Sequence, residues 1–198
     1  MNEYNILTIG VGGQGVLKLA QMICEVAIIE GKNALMSEIH GMAQRGGSVF
    51  SEIRIGDVLG PIIEDGETDL LISLEPSELL RYLDKLKKEV IIISNNEIIK
   101  PYTVSLGVST YPDVDKIFEK LKEITKNIYI IDGNRLAKEI GSNIILNTIM
   151  FGFYSGINPL NFKEDSFKKV IYDNFKGHFY DINEKAFELG KKEFLKIY

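Results

Sequence analysis

The chain has 198 residues, 45% of them hydrophobic and 26% charged, with a formal net charge of -5. That length and content suit one domain with its own core, residues 1–198, and an acidic chain without a basic patch argues against nucleic acid as a partner. No apolar run approaches the roughly 20 residues that span a bilayer, and Met1-Asn2-Glu3-Tyr4 has no signal-peptide pattern, so a cytoplasmic protein with no membrane partner is expected.

In chain order, Tyr4 to Ile9 (YNILTI) reads as a short strand that ends at Gly10. Leu17, Ala20, Cys24 and Ala27 recur at helical spacing and predict a core-facing helix from Val16 to Glu30, with Gly31 as its stop. Asn33 to Ser37 predicts a second strand. Ser48 to Ile55 alternates, with Val49, Ser51, Ile53 and Ile55 on one face and Glu52 and Arg54 on the other, the pattern of a half-exposed strand. Asp69 to Leu74 (DLLISL) is continuously apolar enough for a strand covered on both faces. Glu75-Pro76 then opens a helix expected to run to Lys88. Val90 to Ser94 and Ile128 to Ile131 are two more buried strands. From Phe162 to Tyr198 the tail is helical, with Phe167, Val170, Ile171 and Asn174 on one stripe and Phe187, Gly190 and Phe194 on another. Strands alternating with helices imply an α/β fold, a doubly wound, mostly parallel sheet in a Rossmann-like three-layer arrangement, with core 4–156 and helical tail 162–198.

Gly10, Gly12 and Gly15 have G-x-G-x-x-G spacing between a strand and a helix. Such a loop, here Gly10, Gly12, Gly13, Gln14 and Gly15, can bring backbone N–H groups to a helix N-terminus and receive an anion or cofactor. It can equally be a tight turn that needs glycine only for packing. The dinucleotide version wants an acid closing the second strand. Glu38 lies there, but it runs into a glycine- and arginine-bearing loop, which is not how that pocket normally continues.

Three stretches together carry a more specific pattern: Gly10 to Val16 (GVGGQGV), Ser37 to Val49 (SEIHGMAQRGGSV) and Arg54-Ile55-Gly56. Over residues 4–156 the chain resembles the γ-type subunit of the 2-oxoacid:ferredoxin oxidoreductases. Pro61 to Ile63, Asp69 to Leu74, Glu75-Pro76, Glu78, Arg81, Asp132 and Asn147 to Gly152 also fall where that family has similar residues. Within it, His-Gly-Met-Ala-Gln-Arg-Gly-Gly is similar to the indolepyruvate branch, where this chain is called the β subunit.

The resemblance implies a hetero-oligomer that oxidatively decarboxylates a 2-oxoacid with coenzyme A as co-substrate, giving an acyl-CoA and reduced ferredoxin. It places thiamine pyrophosphate and the iron–sulfur clusters on a large partner subunit, so this chain binds no cofactor firmly and is inactive alone. One cysteine agrees with that, because a cluster usually takes four thiolates. No metal ligand set and no catalytic residue is assigned here.

The expected interface or active-site loop comprises His40, Gly41, Met42, Gln44, Arg45, Gly46 and Gly47. Arg45 carries a planar fork of donors that can grip a carboxylate, a phosphate or backbone carbonyls, and the glycines permit close approach of another surface. The bland alternative has Arg45 paired internally with Glu38 or Glu52. His40 is read as structural or interfacial, His178 as part of a loop without a role, and Cys24 as a small core residue. Glu75 to Glu78 reads equally as an acidic site or a helix start. Gly152 and Gly156 read as core packing, with a subunit contact as the alternative. Lys85 to Lys88 and Lys191-Lys192 read as solvated helix faces. Two other functions remain: a stand-alone Rossmann-type nucleotide-binding enzyme and a non-catalytic assembly subunit.

Overall fold

The structure is a computed structural model that describes residues 3–40, 47–142 and 144–197. Its six strands are β1 (Glu3–Val11), β2 (Ala34–His40), β3 (Ser48–Gly56), β4 (Thr68–Ser73), β5 (Leu86–Asn95) and β6 (Ile128–Ile131). They form one sheet in the order β2-β3-β1-β4-β5-β6. β1, β4, β5 and β6 run parallel, whereas β3 is antiparallel to both β1 and β2. The sheet is therefore mostly parallel, with one reversed strand pushed between β1 and β2. In β1, Ile6, Leu7 and Ile9 are all 0% exposed, as a strand covered on both faces requires.

The helices are α1 (Val16–Ile29), α2 (Tyr102–Ser105), α3 (Val114–Lys122), α4 (Gly133–Ile140), α5 (Leu146–Ile157), α6 (Glu164–Asn174) and α7 (His178–Ile197). One face of the sheet carries the larger core, where Leu19, Ile23, Ile72, Ile149, Phe151 and Phe187 meet. The other face holds a smaller cluster, including Leu7, Leu71, Leu79, Ile92 and Phe118, under α3 and the 3₁₀ segment Pro76–Arg81. Three layers result, as the sequence pattern predicts.

Helix α5 is buried from Leu146 to Ser155, which suits a helix that is apolar on nearly every side. It is covered by α7 at very short range, and two glycines set that range. A Cβ on Gly152 would lie 2.0 Å from the Phe187 carbonyl oxygen, and one on Gly190 would lie 2.0 Å from that of Ile149. Gly156 faces the Phe194 ring. These glycines serve core packing between α5 and the tail.

Several elements depart from expectation. The helix expected from Pro76 to Lys88 is two 3₁₀ segments, Pro76–Arg81 and Leu83–Lys85, and β5 begins at Leu86. Leu86 and Val90 have to reach the smaller apolar cluster, which an extended chain does and a continuing helix would not. The lysines there are accordingly not a helix face. Lys85 Nζ donates to the Ile63 carbonyl at 2.6 Å and lies 3.5 Å from Glu52, and Lys87 pairs with Asp69. Glu52, expected on an exposed face, is 2% exposed because the chain after β3 folds back over it: Ser37 Oγ and the Ile63 N–H donate to its carboxylate. His178 starts α7 rather than lying in a loop.

Candidate functional site

The glycine loop leaves β1 at Val11 and enters α1 at Val16. Gln14 holds it shut. Its Oε1 accepts from the Val11 N–H at 2.9 Å and its Nε2 donates to the Leu74 carbonyl at 2.8 Å. This one side chain therefore ties the ends of β1 and β4, the two strands from which the chain diverges to opposite halves of the sheet. Gly10 packs beneath it, where a Cβ would lie 2.7 Å from Gln14 Oε1. Gly15 caps α1 with φ +81°, and its α-carbon sits against the Asn147 side chain. With the Gln14 side chain occupied at both ends, its N–H donated to the Val11 carbonyl and the Gly12 N–H donated to the Gly47 carbonyl, the loop offers a ligand the N–H groups of Gly13 and Gly15, and the first turn of a helix leaves several more without an internal acceptor.

Around the loop lie two adjoining clefts. One of about 450 Å³ runs from Gly12, Gly13 and Gly15 to Glu97, Asn134 and Asn147. The other, about 370 Å³, lies toward Val16, Leu17 and Val49. Beyond the first is a hollow of about 560 Å³ that includes Asn96, Asp132, Arg135 and Lys138. All of this stands at the carboxyl ends of the parallel strands, where open α/β sheets bind ligands.

The amides in the floor are tightly placed. Asn95, fully buried, donates to the Leu74 carbonyl at 3.2 Å and to Asn134 Oδ1 at 3.1 Å, and accepts from the Gly133 N–H at 3.0 Å. None of Asn95, Asn96, Glu97 or Asn134 was legible as a site residue. The available signal was a polar amide just past two buried strands, in Ser94-Asn95-Asn96 and Asp132-Gly133-Asn134.

Of the expected interface loop, Gly41, Met42, Gln44, Arg45 and Gly46 lie outside the described residues. His40 ends β2, its backbone opposite Val49. Gly47 is described, and its carbonyl accepts from the Gly12 N–H at 2.8 Å. Thus the two sequence motifs are joined by a backbone hydrogen bond between residues 35 apart, at one end of the sheet. The β1–β3 register, Val11 opposite Ser48, enforces it.

Glu75 is a helix start. It is fully buried, its Oε2 accepts from the N–H groups of Ser77 (2.8 Å) and Glu78 (3.2 Å), and its Oε1 accepts from the Ile99 N–H and the Tyr111 hydroxyl. Burial, reinforced by the Glu75 carboxylate, pushes the Tyr111 phenol up. Cys24 is buried as expected, and desolvation pushes its thiol up to about 12. Among the described residues no group of three or more His, Cys, Asp and Glu could hold a metal ion, and no helix is long and apolar enough to cross a membrane.

The topology also bears on the nucleotide-enzyme alternative. With β3 inserted, Glu38 stands two strand spacings from β1, roughly 9–10 Å. A dinucleotide pocket needs that acid on the strand next to β1, close enough to reach a ribose.

Comparison with known proteins agrees with these features. The sequence model of the family described as pyruvate ferredoxin/flavodoxin oxidoreductase matches residues 5–193. The chain is 39% identical to "Indolepyruvate oxidoreductase subunit IorB" of Methanothermobacter thermautotrophicus, over 95% of this chain and 96% of that one. It is 37% identical to the protein of the same name from Archaeoglobus fulgidus, over 94% and 92%. In fold it matches the keto/oxoacid ferredoxin oxidoreductase gamma subunit from Geobacter sulfurreducens, with a TM-score of 0.75 and 23% identity, covering 99% of this chain and 98% of that one. The chain therefore belongs to the pyruvate ferredoxin/flavodoxin oxidoreductase family, as a small, γ-type subunit of a 2-oxoacid oxidoreductase.

Proposed function

We propose that this subunit serves an enzyme that oxidatively decarboxylates indolepyruvate or a related arylpyruvate with coenzyme A, yielding an acyl-CoA and reduced ferredoxin. The substrate reading rests on the His40 to Gly47 motif and on the names of the relatives. In this reading the large subunit holds thiamine pyrophosphate, which supplies the carbanion chemistry when bound, and the clusters that take the electrons. The present chain is inactive alone. Its own part is binding and positioning: the loop after His40 lies against the large subunit beside the catalytic cleft, and the N–H groups of Gly13 and Gly15 receive an anionic group of coenzyme A.

The observation that carries this reading is the Gly12–Gly47 hydrogen bond. It fixes the exit of the arginine-bearing loop beside the glycine loop between β1 and α1, so one surface can serve both a partner and an anion. The residues of both loops are proposals of function, Gln14 being the one whose side chain is occupied internally.

The test is turnover by the purified chain with and without the co-expressed large subunit, read as coenzyme A- and indolepyruvate-dependent reduction of ferredoxin or a viologen dye. Wild type is compared with Arg45→Ala. The reading holds if both chains are needed and the variant assembles but loses activity. Full activity of the large subunit alone, or nicotinamide-dependent turnover by the lone chain, overturns it.

A further inference from the structure

We infer that Arg81 is a docking arginine whose outward guanidinium edge receives a carboxylate of the large subunit, aimed by the buried Glu78. The inference rests on the subunit reading above and adds a residue and a partner chemistry to it.

Glu78 is 3% exposed, an unusual place for a carboxylate unless its neighbours compensate it. Two groups do. Ser48 Oγ donates to its Oε2, and Arg81 Nε donates to its Oε1 at 3.1 Å. Tyr82 Oη lies 3.3 Å from Ser48 Oγ. Because the single Ser48 proton is spent on Glu78, Tyr82 is the donor in that contact. The chain of bonds therefore runs from Tyr82 to Ser48 to Glu78, with Arg81 entering from the other side. The Tyr82 ring packs on Phe50 with centroids 5.1 Å apart, which fixes its end of the chain.

Arg81 is bound through Nε alone. Its two terminal nitrogens have no hydrogen-bond partner among the described residues, and its side chain is 60% exposed. The bond to the buried carboxylate engages one side of the guanidinium and leaves its bidentate edge unused. Such an edge matches a carboxylate, and the bond already meets part of the ordering cost. A lysine could neutralise Glu78 equally well but could not present that edge.

The occupant follows from position. Arg81 sits at the end of a surface 3₁₀ segment beside the exposed Leu80, not in the clefts that flank the glycine loop. A small anion on open surface keeps its water, whereas a partner chain brings its own cover and desolvates the pair. Ser48, the other end of the network, follows Gly47 directly, so Arg81 is coupled to the very segment expected against the large subunit.

The experiment titrates the large subunit into wild type, Arg81→Ala, Arg81→Lys and Glu78→Gln at two salt concentrations, with thermal melts as the control for folding. Arg81→Ala removes a partner of the buried Glu78, so its melting temperature should fall by a few degrees; still folded at the temperature of the titration, it should bind at least roughly tenfold more weakly. Arg81→Lys should recover only part of the loss, and Glu78→Gln should weaken binding while leaving a salt dependence like that of wild type, because the cation remains but is no longer aimed. Wild-type affinity of Arg81→Ala, or an intact complex with a raised KM for the 2-oxoacid or coenzyme A, overturns the assignment and leaves the subunit reading standing. Failure of the wild-type chain to bind the large subunit overturns both.

Discussion

Replacing Gly190 by alanine measures how closely α5 and α7 have to approach. The new Cβ would lie 2.0 Å from the Ile149 carbonyl oxygen, and 3.1 Å from the Phe153 nitrogen. Carbon and oxygen rarely come closer than about 3.3 Å, so α7 has to retreat by more than about 1 Å. The obstacle is backbone of a fully buried helix, so no rotamer change relieves it. Overpacking of this kind costs about 1–3 kcal/mol, and here the upper end applies. Alanine returns about 1 kcal/mol through helix propensity. A net loss of about 2 kcal/mol remains, or a melting temperature roughly 4–8 °C lower for a chain of this size. Gly152→Ala should behave alike, since its Cβ would meet the Phe187 carbonyl oxygen at 2.0 Å. In the double variant the second change should cost less than the first, because the helices have already parted. Circular dichroism melts of the four proteins supply the comparison. If Gly190→Ala melts at or above the wild-type temperature, propensity alone governs the site and the close-packing argument is wrong.

Further predictions are briefer. Gly15→Ala forces a β-carbon into a left-handed cap at φ +81° and against Asn147; it should cost about 1–2 kcal/mol and, in the assembled enzyme, raise KM for coenzyme A more than it lowers kcat, whereas unchanged kinetics would remove the loop from ligand binding. Cys24, with its thiol pushed up to about 12 by burial, exposes on the order of one thiolate in ten thousand at pH 8. It should resist Ellman's reagent in the native state and react at once in denaturant, and fast native labelling would contradict its placement. Glu164 accepts from Lys168 and Lys191, which lower its carboxyl from 4.5 to about 2. A depressed carboxyl stabilises the fold above its unfolded value and loses that contribution as pH falls toward the folded one. The melting-temperature gap between wild type and Glu164→Gln should therefore close between about pH 4.5 and 2 and shrink in high salt, since the group is half exposed. A gap that persists at pH 2 would tie Glu164 to something other than its charge.

Apolar periodicity made most of the scaffold legible. α1, β1, β3, β4 and the two stripes of the tail follow from spacing, because in each the buried positions are contiguous on one face or continuous along the strand. Where charge and backbone competed, the sequence misled. Lys85 to Lys88 looks like a solvated helix face until Leu86 and Val90 are seen to reach the smaller apolar cluster, which only an extended chain permits. Glu52 looks exposed because alternation says nothing of a loop returning over its face. α3 and α4 carried readable signals: Asp113 and Asp132 both cap their helices by side chain, and Gly141 closes the second in the left-handed region. The amide floor was hidden for another reason. Asn95 and Asn134 become neighbours only because β5 and β6 pair in parallel, a contact 39 residues apart in the chain.

The inserted strand decides what kind of site this glycine loop can be. In a regular βαβ unit the strand after α1 would pair with β1, and an acid at its end would face the loop across one strand spacing. Here β3 takes that place and runs the other way, so its beginning, not its end, lies beside Val11. Two consequences follow together. Glu38 is carried beyond reach of the loop, which removes the ribose acid, and Gly47-Ser48 is brought to it, which installs the end of the arginine-bearing segment. The glycine spacing is thus common to both kinds of protein, and the direction of one strand separates them: it replaces a contact to a dinucleotide with a joint between the loop and the segment that begins at Gly47.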